Sequence, residues 1–599
     1  MRTNLVVAAV PIFAALAASC STSGPRVTFE EPSSDVANPG GGPQPSFGPV
    51  VQQPEPPPPI SGGTLAMAPD QTTAVAADSD RDRIYVVDLP TRSLRHTIQL
   101  PRRSEPGRVT VDDEGRAHVA LRRAGGIATV DLGTGALTFR DACGTPRGVA
   151  FDKARAMIHV ACASGELVSL PLRGGAARTR EVARDLRDVV VDKNGVLVLT
   201  TFRDASEIRL SDAGGKQVRP NDGSNVAWRA VAAPDPDCQG CDDETAIVAQ
   251  EPVTEAVSPQ PGGYGGASVS GGCAQPTGIV TTRLKVGKGS VRLSEAVLPV
   301  DLATNGREIA VVAAGNAFTP DLPQIFVVHR SVVRRSSPNG DFGGCTPMIR
   351  GQVPGQAVAV VFDGADELVV QTREPAALHI MAADRKRPWK TISLATDSVA
   401  DTGHAIFHSN AGGFIACASC HAEGSDDGHT WTFVGMGPRR TPSLLGTTPG
   451  TEPFHWDGEM RDLRDIVDHV FVERMSGPKI DEPQFGALGD WMFSLPAPPR
   501  LRAEDEVTAR GAVLFQQRCA SCHAGPLLTN NASVDVGTGG AFQVPSLVGL
   551  GWRAPFLHTG CAKTLFDRFD PACGGAQHGE VKDLSKAQIQ DLVEFLETL

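Results

Sequence analysis

The chain has 599 residues, a net charge of −12 and a pI near 5.7, and this length predicts two to four domains rather than a single core. The acidic balance, without any run of Lys and Arg, argues against a nucleic-acid partner. Gly (64) and Pro (46) are abundant and aromatic residues make up only 5%, which favours turn-rich β structure and linkers over a helical bundle.

Residues 1–20 have the form of a signal peptide. An apolar run from Leu5 to Ala18 is too short to span a bilayer comfortably but is typical of a signal-peptide core. The run ends at Ala17-Ala18-Ser19-Cys20 and resembles a bacterial lipobox with Cys20 as the lipidated residue, although Ala17 stands where Leu is usual. Ordinary signal cleavage is the alternative. Both alternatives predict export to the periplasm or cell envelope, and lipidation would add a membrane anchor.

Residues 21–64 are rich in Pro and Gly and predict an extended, mobile linker. The cysteines support export. Five of the 13 are assigned to the lipobox and to two motifs described below, and the even remainder in an exported protein indicates disulfides. The closest pairs in the sequence are Cys143 with Cys162 and Cys561 with Cys573. The eight remaining residues are Cys143, Cys162, Cys238, Cys241, Cys273, Cys345, Cys561 and Cys573.

Residues 65–397 contain repeated β-like runs that end in Asp- and Gly-containing turns. The runs open at residues 75, 109, 149, 189, 231, 300 and 360, and the regular spacings of about 40 residues fit one four-stranded propeller blade each. The longer spacings contain insertions, including a Gly/Ser-rich stretch near 250–275. The pattern resembles the YVTN/YncE-like β-propellers and predicts about seven blades. Another all-β array is the alternative.

The pair Cys238 and Cys241 is followed by Asp242 rather than His, which excludes covalent haem attachment there. No second Cys/His pair lies nearby, so a disulfide or hairpin staple is favoured over zinc. The propeller carries no phosphate loop and no Ser/His/Asp arrangement. We expect it to bind a partner protein, and its central channel could instead hold a small ligand.

The sequence Cys-Ala-Ser-Cys-His occurs twice, at 417–421 (the first motif) and at 519–523 (the second motif). Two thiols one helical turn apart can reach the two vinyl groups of haem, and the next imidazole binds the iron. The motifs predict two covalently bound haem c groups, held by Cys417, Cys420 and His421 and by Cys519, Cys522 and His523.

Both motifs lie in mainly helical segments, which we predict to be two haem c domains over 398–499 and 500–599. The lead-ins are similar, GHAIF before the first motif and GAVLF before the second. Related segments follow, at 439–463 and 542–565. The two domains therefore indicate an internal duplication.

This order of motifs resembles the bacterial di-haem cytochrome c peroxidase/MauG family over about 200 residues. The resemblance implies a peroxidatic first haem and a second haem that accepts electrons from a small c-type cytochrome or cupredoxin. It also implies a calcium ion between the haem domains. Trp456, in Phe454-His455-Trp456-Asp457-Gly458, matches the tryptophan that lies between the haems in that family.

Glu473, in a run similar to the family's V-E-M-G element with one residue inserted, is the candidate acid/base for peroxide cleavage. A solvated helix residue is the alternative. His429, in Gly428-His429-Thr430-Trp431, has the form of the removable distal ligand of the first haem, with Met475 as its rival.

The second haem departs from the family, because no Met follows Met492. His578 is the favoured second ligand, and a Cys561–Cys573 bridge could shape its loop. Ligation by two histidines lowers the reduction potential relative to a His/Met pair.

Three functions follow from these residues. The first is reduction of hydrogen peroxide at the first haem with electrons that enter through the second. The second is MauG-like oxidation of a partner protein, and the third is non-enzymatic electron transfer by two six-coordinate haems.

Overall fold

Short runs of Val, Ile, Leu and Ala that end in Asp- and Gly-containing turns form antiparallel strands in the computed structural model. Small and β-branched apolar residues pack well between sheets, and the turn residues reverse the chain. The structure describes residues 42–211, 214–220, 222–238, 243–265, 267–268, 276–336, 347–575 and 577–599. The predicted signal peptide with Cys20, and Cys241, Cys273 and Cys345, lie outside these ranges.

Seven four-stranded antiparallel sheets follow one another within the described residues and form a seven-bladed β-propeller, which confirms the predicted fold class. The first four blades are β1–β4 (Leu65–Met67, Thr73–Asp78, Arg83–Asp88, Ser93–Gln99), β5–β8 (Pro106–Val111, Arg116–Leu121, Ile127–Asp131, Leu137–Arg140), β9–β12 (Pro146–Asp152, Met157–Cys162, Glu166–Pro171, Arg178–Glu181) and β13–β16 (Leu186–Val191, Leu197–Thr201, Glu207–Leu210, Lys216–Arg219).

The fifth blade carries the predicted insertion. Its sheet is β17, β18, β21 and β22 (Asn225–Ala233, Glu244–Pro252, Val280–Val286, Gly289–Leu293), and the insertion contains the short ribbon β19 and β20 (Ala267–Ser268, Pro276–Thr277). The last two blades are β23–β26 (Asp301–Thr304, Glu308–Val312, Ile325–His329, Ile349–Gly351), with helix α1 (Arg330–Arg335) after β25, and β27–β30 (Ala357–Phe362, Leu368–Arg373, Ala376–Met381, Lys390–Ser393).

The residues at which the β-like runs open in the sequence mark the first strand of blades two to seven. The first blade is the exception. The opening at Val75 lies in β2, the second strand of its blade, whereas the opening at Val109 lies in β5. This shift by one strand explains why the first spacing in the sequence is the shortest.

No blade combines strands from the two ends of the described chain, so the ring closes by side-by-side packing of its first and last blades. Tyr85 and Leu378 share a buried apolar cluster at this seam. Arg81 reaches Glu374 at 3.0 Å, and Arg373 reaches Asp80 at 2.8 Å. Side-chain contacts between the first and last blades therefore close the ring, in place of a sheet that combines strands from both.

Two mainly helical domains follow. The first contains α2–α5 (Thr402–His408, Cys417–Cys420, Leu463–Asp465, Glu482–Phe493), a π-helix over Ile466–Arg474 and the ribbon β31 and β32 (Thr430–Phe433, Gly437–Arg440). The second contains α6–α8 (Glu506–Arg518, Pro571–Gly574, Lys586–Leu596) and the ribbon β33 and β34 (Ser533–Asp535, Ala541–Gln543). No helix among the described residues has both the length and the apolar character needed to cross a membrane.

The glycine of each lead-in lies where two helices meet. A Cβ atom on Gly403 in α2 would lie 2.1 Å from the carbonyl oxygen of Ala487 in α5, and one on Gly511 in α6 would lie 2.0 Å from that of Asp591 in α8. Only glycine permits such a close approach of two backbones. The duplicated lead-ins therefore encode the same helix crossing in both domains.

Residues 42–64 correct the prediction of a mobile linker. Trp491 donates a hydrogen bond from Nε1 to the Pro57 carbonyl at 2.9 Å, and the Ile60 amide donates to His408 Nε2 at 3.2 Å. Gln52 donates to Asp490 at 2.8 Å. A proline-rich strand cannot join a sheet, but its carbonyl groups remain free to accept hydrogen bonds from side chains. Composition alone does not reveal such partners.

Candidate haem site

The first motif forms the single-turn helix α3, which begins at Cys417 and ends at Cys420. The amide of His421 donates to the Cys417 carbonyl at 2.9 Å, and the amide of His523 donates to the Cys519 carbonyl at 3.0 Å. Both motifs therefore share the hydrogen bond that closes one helical turn from the first cysteine to the histidine.

Both motif histidines are held through Nδ1. His421 Nδ1 donates to the Ser425 carbonyl at 3.3 Å, and His523 Nδ1 donates to the Leu528 carbonyl at 3.1 Å. Burial lowers the pKa of His421 to about 4 and also lowers that of His523. A neutral imidazole with Nδ1 fixed presents Nε2 to a metal, which is the usual arrangement of a histidine ligand.

The thiols complete the fit to covalent haem. Cys417, Cys420, Cys519 and Cys522 are free. The predicted pairs Cys143–Cys162 and Cys561–Cys573 form disulfides, and Cys238 is also disulfide-bonded. Each motif thus retains two free thiols and one imidazole nitrogen, the groups that haem c requires.

A second imidazole faces the second motif. The ring centres of His523 and His578 are 6.4 Å apart, with their planes tilted by 32°. Two imidazoles that bind one metal through nitrogens about 2 Å from it have ring centres roughly 6 Å apart. The spacing is therefore suited to one iron between the two rings.

The loop that carries His578 is held by several groups. Arg568 donates a hydrogen bond to the His578 carbonyl, and the Cys561–Cys573 disulfide fixes the chain upstream. Burial and the neighbouring Arg568 lower the pKa of His578 to about 3. The ring is therefore neutral, as a ligand must be.

The surroundings of the first motif differ. The ring of His429 packs edge-on against Trp431 at 4.6 Å, and Met475 is buried with 4% of its surface exposed. Within the described part of the chain, no ring pairs with that of His421 in the way that His578 pairs with His523. The two motifs are identical in sequence, but among the described residues the second alone has a histidine ring paired with its own.

Glu473 lies near the end of the π-helix. Its Oε2 atom is 3.1 Å from His469 Nδ1, and both side chains are about half exposed, at 48% and 49%. The wider turn of a π-helix is often associated with functional sites. Glu473 thus belongs to an accessible carboxylate–imidazole pair.

Trp456 and His558 occupy equivalent positions in two matching loops. Pro453 and Pro555 both follow cis peptide bonds, and the residues before Trp456 and His558, namely His455 and Leu557, both have left-handed backbones. The segments that were similar in sequence therefore share the same chain path.

These loops meet at the contact between the two haem domains. The Gln543 amide donates to the Trp456 carbonyl at 2.8 Å, and the Arg440 amide donates to the His558 carbonyl at 2.7 Å. The Trp456 and His558 rings lie 6.0 Å apart, and Trp456 Nε1 donates to the Arg440 carbonyl at 2.7 Å. The contact is reciprocal and places two aromatic rings between the haem motifs.

Glu423, two residues after His421, joins the first motif to the propeller. Its carboxylate lies 2.7 Å from Arg187, 3.4 Å from Arg122 and 3.9 Å from Arg147, residues of three different blades. Only 9% of its side chain is exposed. Burial opposes ionisation, but Arg122, Arg187 and Arg147 hold the pKa of Glu423 well below its usual range. The first haem motif is therefore fixed to the propeller by a buried ion cluster.

This cluster was missed in the sequence, although a signal for it exists. Arg147, Arg187 and Arg229 each stand two residues before a repeat opening. Each of them lies in the first strand of its blade, so the recurrence predicts arginines at equivalent positions of neighbouring blades. Glu423 itself carries no comparable signal.

The predicted calcium ion finds no support. Among the described residues, no group of three or more His, Cys, Asp or Glu side chains is arranged to hold a metal ion.

Comparison with known families matches residues 506–596 to the family described as cytochrome C oxidase, cbb3-type, subunit III. The C-terminal domain is therefore a c-type cytochrome domain, which implies covalently bound haem c and a role in electron transfer. The peroxidase/MauG resemblance remains a prediction.

Similar solved structures include Kuenenia stuttgartiensis hydrazine synthase, at 14% identity over 58% of this chain and 99% of that chain, with a TM-score of 0.41. The same enzyme pressurised with xenon gives 21% identity over 31% and 81%, with a TM-score of 0.28. Virginiamycin B lyase from Staphylococcus aureus gives 10% identity over 58% and 87%, also with a TM-score of 0.28. These likenesses are too distant to carry a functional argument. No curated protein matches the sequence.

Proposed function

We propose that this protein is an exported di-haem c-type cytochrome that reduces hydrogen peroxide at the first motif with electrons that enter at the second. The observation that carries the proposal is the asymmetry of the two motifs. His578 faces His523 at 6.4 Å, a spacing suited to a six-coordinate electron-transfer iron. His421 lacks such a partner among the described residues, and we assign the open coordination position to the iron at the first motif on this ground.

Haem bound at the two motifs supplies redox-active iron, and the protein's residues supply position and protons. Reduction of one peroxide to two waters consumes two electrons and two protons. Glu473 and His469, 3.1 Å apart and accessible, can exchange a proton between Oε2 and Nδ1, and we assign them the supply of protons for this reaction. Trp456, held through Nε1 and packed against His558, lies at the contact that electrons cross between the domains.

The partners follow from this direction of electron flow. A small c-type cytochrome or cupredoxin would reduce the second haem, and the propeller would dock the donor or another protein. Because the cluster around Glu423 occupies the channel side of several blades, a docked protein would use the outer surface of the propeller.

Steady-state peroxide turnover with a reduced small c-type cytochrome tests the proposal. We expect Glu473→Gln to lower kcat by roughly 10²–10⁴-fold, the usual contribution of a positioned acid or base. Glu482→Gln, at an exposed carboxylate paired with Arg464 on the same domain, is the control and should keep full activity. Wild-type turnover no faster than that of free haem would refute the proposal.

A second candidate is a non-enzymatic electron carrier, favoured by the cytochrome match over 506–596 and by the burial of Met475 near the first motif. It requires low-spin iron at both motifs in the oxidised and half-reduced states, with no binding of added ligands. A high-spin electron paramagnetic resonance (EPR) signal after one-electron reduction would exclude it.

A further inference from the structure

The insertion of the fifth propeller blade contacts the first haem domain on two sides. On one side, the Val257 amide donates to the Thr432 carbonyl at 2.8 Å, and the Val434 amide donates back to the Val257 carbonyl at 3.0 Å. On the other side, the Gly262 amide donates to the Glu473 carbonyl at 2.7 Å. The insertion thus bridges the β31 ribbon and the end of the π-helix.

Close backbone packing fixes this position. A Cβ atom on Gly265 would lie 2.6 Å from the Gly413 Cα atom, and one on Gly278 would lie 2.8 Å from the Gly413 carbonyl oxygen. Neither position has space for a side chain. Gly413 is only four residues before the first motif, so the insertion is packed directly against the chain that leads into it.

Tyr264 is the residue that this packing brings into the haem domain. Its amide donates to the Arg474 carbonyl at 2.9 Å, and its ring lies 6.1 Å from that of Phe433. Only 9% of the residue is exposed. Burial raises the pKa of its hydroxyl, and the nearby Cys420 and Glu459 add to this rise, whereas the Arg474 guanidinium opposes it.

A line of polar side chains continues from Tyr264 along the first motif. Arg474 interacts electrostatically with Glu459, whose Oε1 atom is 2.7 Å from His455 Nδ1. His455 in turn is within electrostatic reach of His421. The Glu459–His455 pair therefore belongs to the electrostatic surroundings of both Tyr264 and the first motif.

The chemistry of the hydroxyl defines its role. A guanidinium group only donates hydrogen bonds, so a tyrosine oxygen beside Arg474 can only accept from it, and the phenolic hydrogen remains available to another acceptor. Burial raises the pKa of Tyr264, which keeps that hydrogen in place at neutral pH.

We infer that Tyr264 is a wall residue of the first haem pocket, supplied by the propeller, and that its hydroxyl donates a hydrogen bond inside that pocket. The propeller then completes the haem site in addition to any docking role. The inference rests on haem binding at the first motif, as proposed above, but not on peroxide turnover.

The chain offers a matched control, because Tyr85 and Tyr264 are its two tyrosines. Tyr264→Phe removes one hydroxyl and keeps the ring against Phe433, whereas Tyr85→Phe makes the same change at the distant seam of the propeller. The readouts are haem content by the pyridine haemochrome assay, the EPR spectrum of each haem and the affinity for cyanide.

We expect Tyr264→Phe to retain two haems, to shift the EPR signal of the first haem alone and to change cyanide affinity by roughly 3- to 10-fold, the worth of one hydrogen bond. His578→Ala alters the second haem and therefore shows which EPR signal belongs to which haem. Arg474→Lys should shift the same signal as Tyr264→Phe, and Tyr85→Phe should shift neither.

Unchanged signals from both haems in Tyr264→Phe would overturn the inference, as would a wild-type protein with haem at the second motif alone. Absence of peroxide turnover in a wild-type protein that carries two haems would instead refute the proposed function, while the shift in Tyr264→Phe would still support this role of Tyr264.

Discussion

Two five-residue motifs with the same sequence differ through single residues placed far from them in the chain. His523 faces His578, 55 residues away in the sequence, across a gap of 6.4 Å. His421 is held in the same way through Nδ1 but has other neighbours. The sequence predicted the four cysteines and the two motif histidines from local spacing. It could only propose His429, Met475 and His578 as second ligands, because the residue that faces an iron is determined by tertiary packing.

Replacement of His578 tests the ligand assignment. We expect His578→Ala to convert the second haem from low spin to high spin and to open it to carbon monoxide. His578→Met should remain low spin with a higher potential, because a thioether ligand raises the potential of c-type haem. EPR and redox titration measure both changes.

His558→Ala is the control for that experiment, because the His558 ring stacks on Phe542 at 3.9 Å rather than facing His523. It should leave the second haem low spin. A low-spin second haem in His578→Ala would show that another residue binds the iron.

Asp188 gives the propeller a predictable dependence on pH. Burial opposes its ionisation, but Arg108 and Arg229, at 3.0 and 2.9 Å, lower its pKa to about 2. A carboxyl whose pKa is lower in the folded state than in the unfolded state stabilises the fold above its unfolded pKa, near 4. This stability is lost as the pH falls from about 4 to about 2.

Urea unfolding of Asp188→Asn checks this. We expect a loss of about 3–5 kcal/mol at pH 7, since two buried arginines lose a partner, and a weaker dependence on pH between 4 and 2. Asp113→Asn, at an exposed surface pair with Lys153, should change stability little. Equal stability of Asp188→Asn and wild type at pH 7 would contradict the stabilising role of the ion pairs that Asp188 forms with Arg108 and Arg229.

At the scale of elements, the duplication was visible in the sequence and the reciprocal contact was not. The similar lead-ins and the related segments at 439–463 and 542–565 predicted two related domains, and the glycines of both lead-ins meet a neighbouring helix in the same way. The exchange of hydrogen bonds between the Trp456 and His558 loops depends on how the domains dock. No spacing within either copy encodes that docking. The first blade shows a similar limit of sequence-based prediction. An apolar run followed by Asp identifies a strand, but it does not show whether that strand is the first or the second of its blade.

The disulfide beside the second motif should support the His578 loop. We expect the double variant Cys561→Ser/Cys573→Ser to lose about 2–4 kcal/mol of stability, as is typical of a lost disulfide, and to acquire a high-spin fraction at the second haem. Differential scanning calorimetry and EPR measure the two effects.

The matched control is Cys143→Ser/Cys162→Ser, which removes a disulfide from the third propeller blade. It should destabilise the protein without any change in the haem spectra. A low-spin second haem in Cys561→Ser/Cys573→Ser would mean that Arg568 and the surrounding packing hold the loop unaided.

For the whole molecule, the propeller and the first haem domain are interlocked rather than tethered. Residues 42–64 lie against α2 and α5, the fifth-blade insertion reaches the π-helix, and Glu423 enters the arginine cluster. The sequence predicted three separate domains and a mobile linker, because composition describes each segment alone. Contacts between distant segments are what composition cannot describe.

Glu423→Ala tests this interlocking. The change leaves Arg122, Arg147 and Arg187 buried without their common carboxylate, so we expect a loss of about 3–5 kcal/mol and faster proteolysis between the propeller and the haem domains. Glu114→Ala, at an exposed pair with Arg173, is the control. Equal protease resistance of Glu423→Ala and wild type would contradict the interlocking.

The reciprocal contact between the two haem domains has the form of an isologous interface, in which each partner presents the same surface to the other. The single chain thus contains the equivalent of a twofold-symmetric homodimer joined end to end. In a true homodimer every substitution appears twice, so both irons must share one environment. Fusion removes that constraint, since one copy can acquire Trp456 while the other acquires His558 and His578. The covalent link therefore lets the two identical motifs have different neighbours within a symmetric frame.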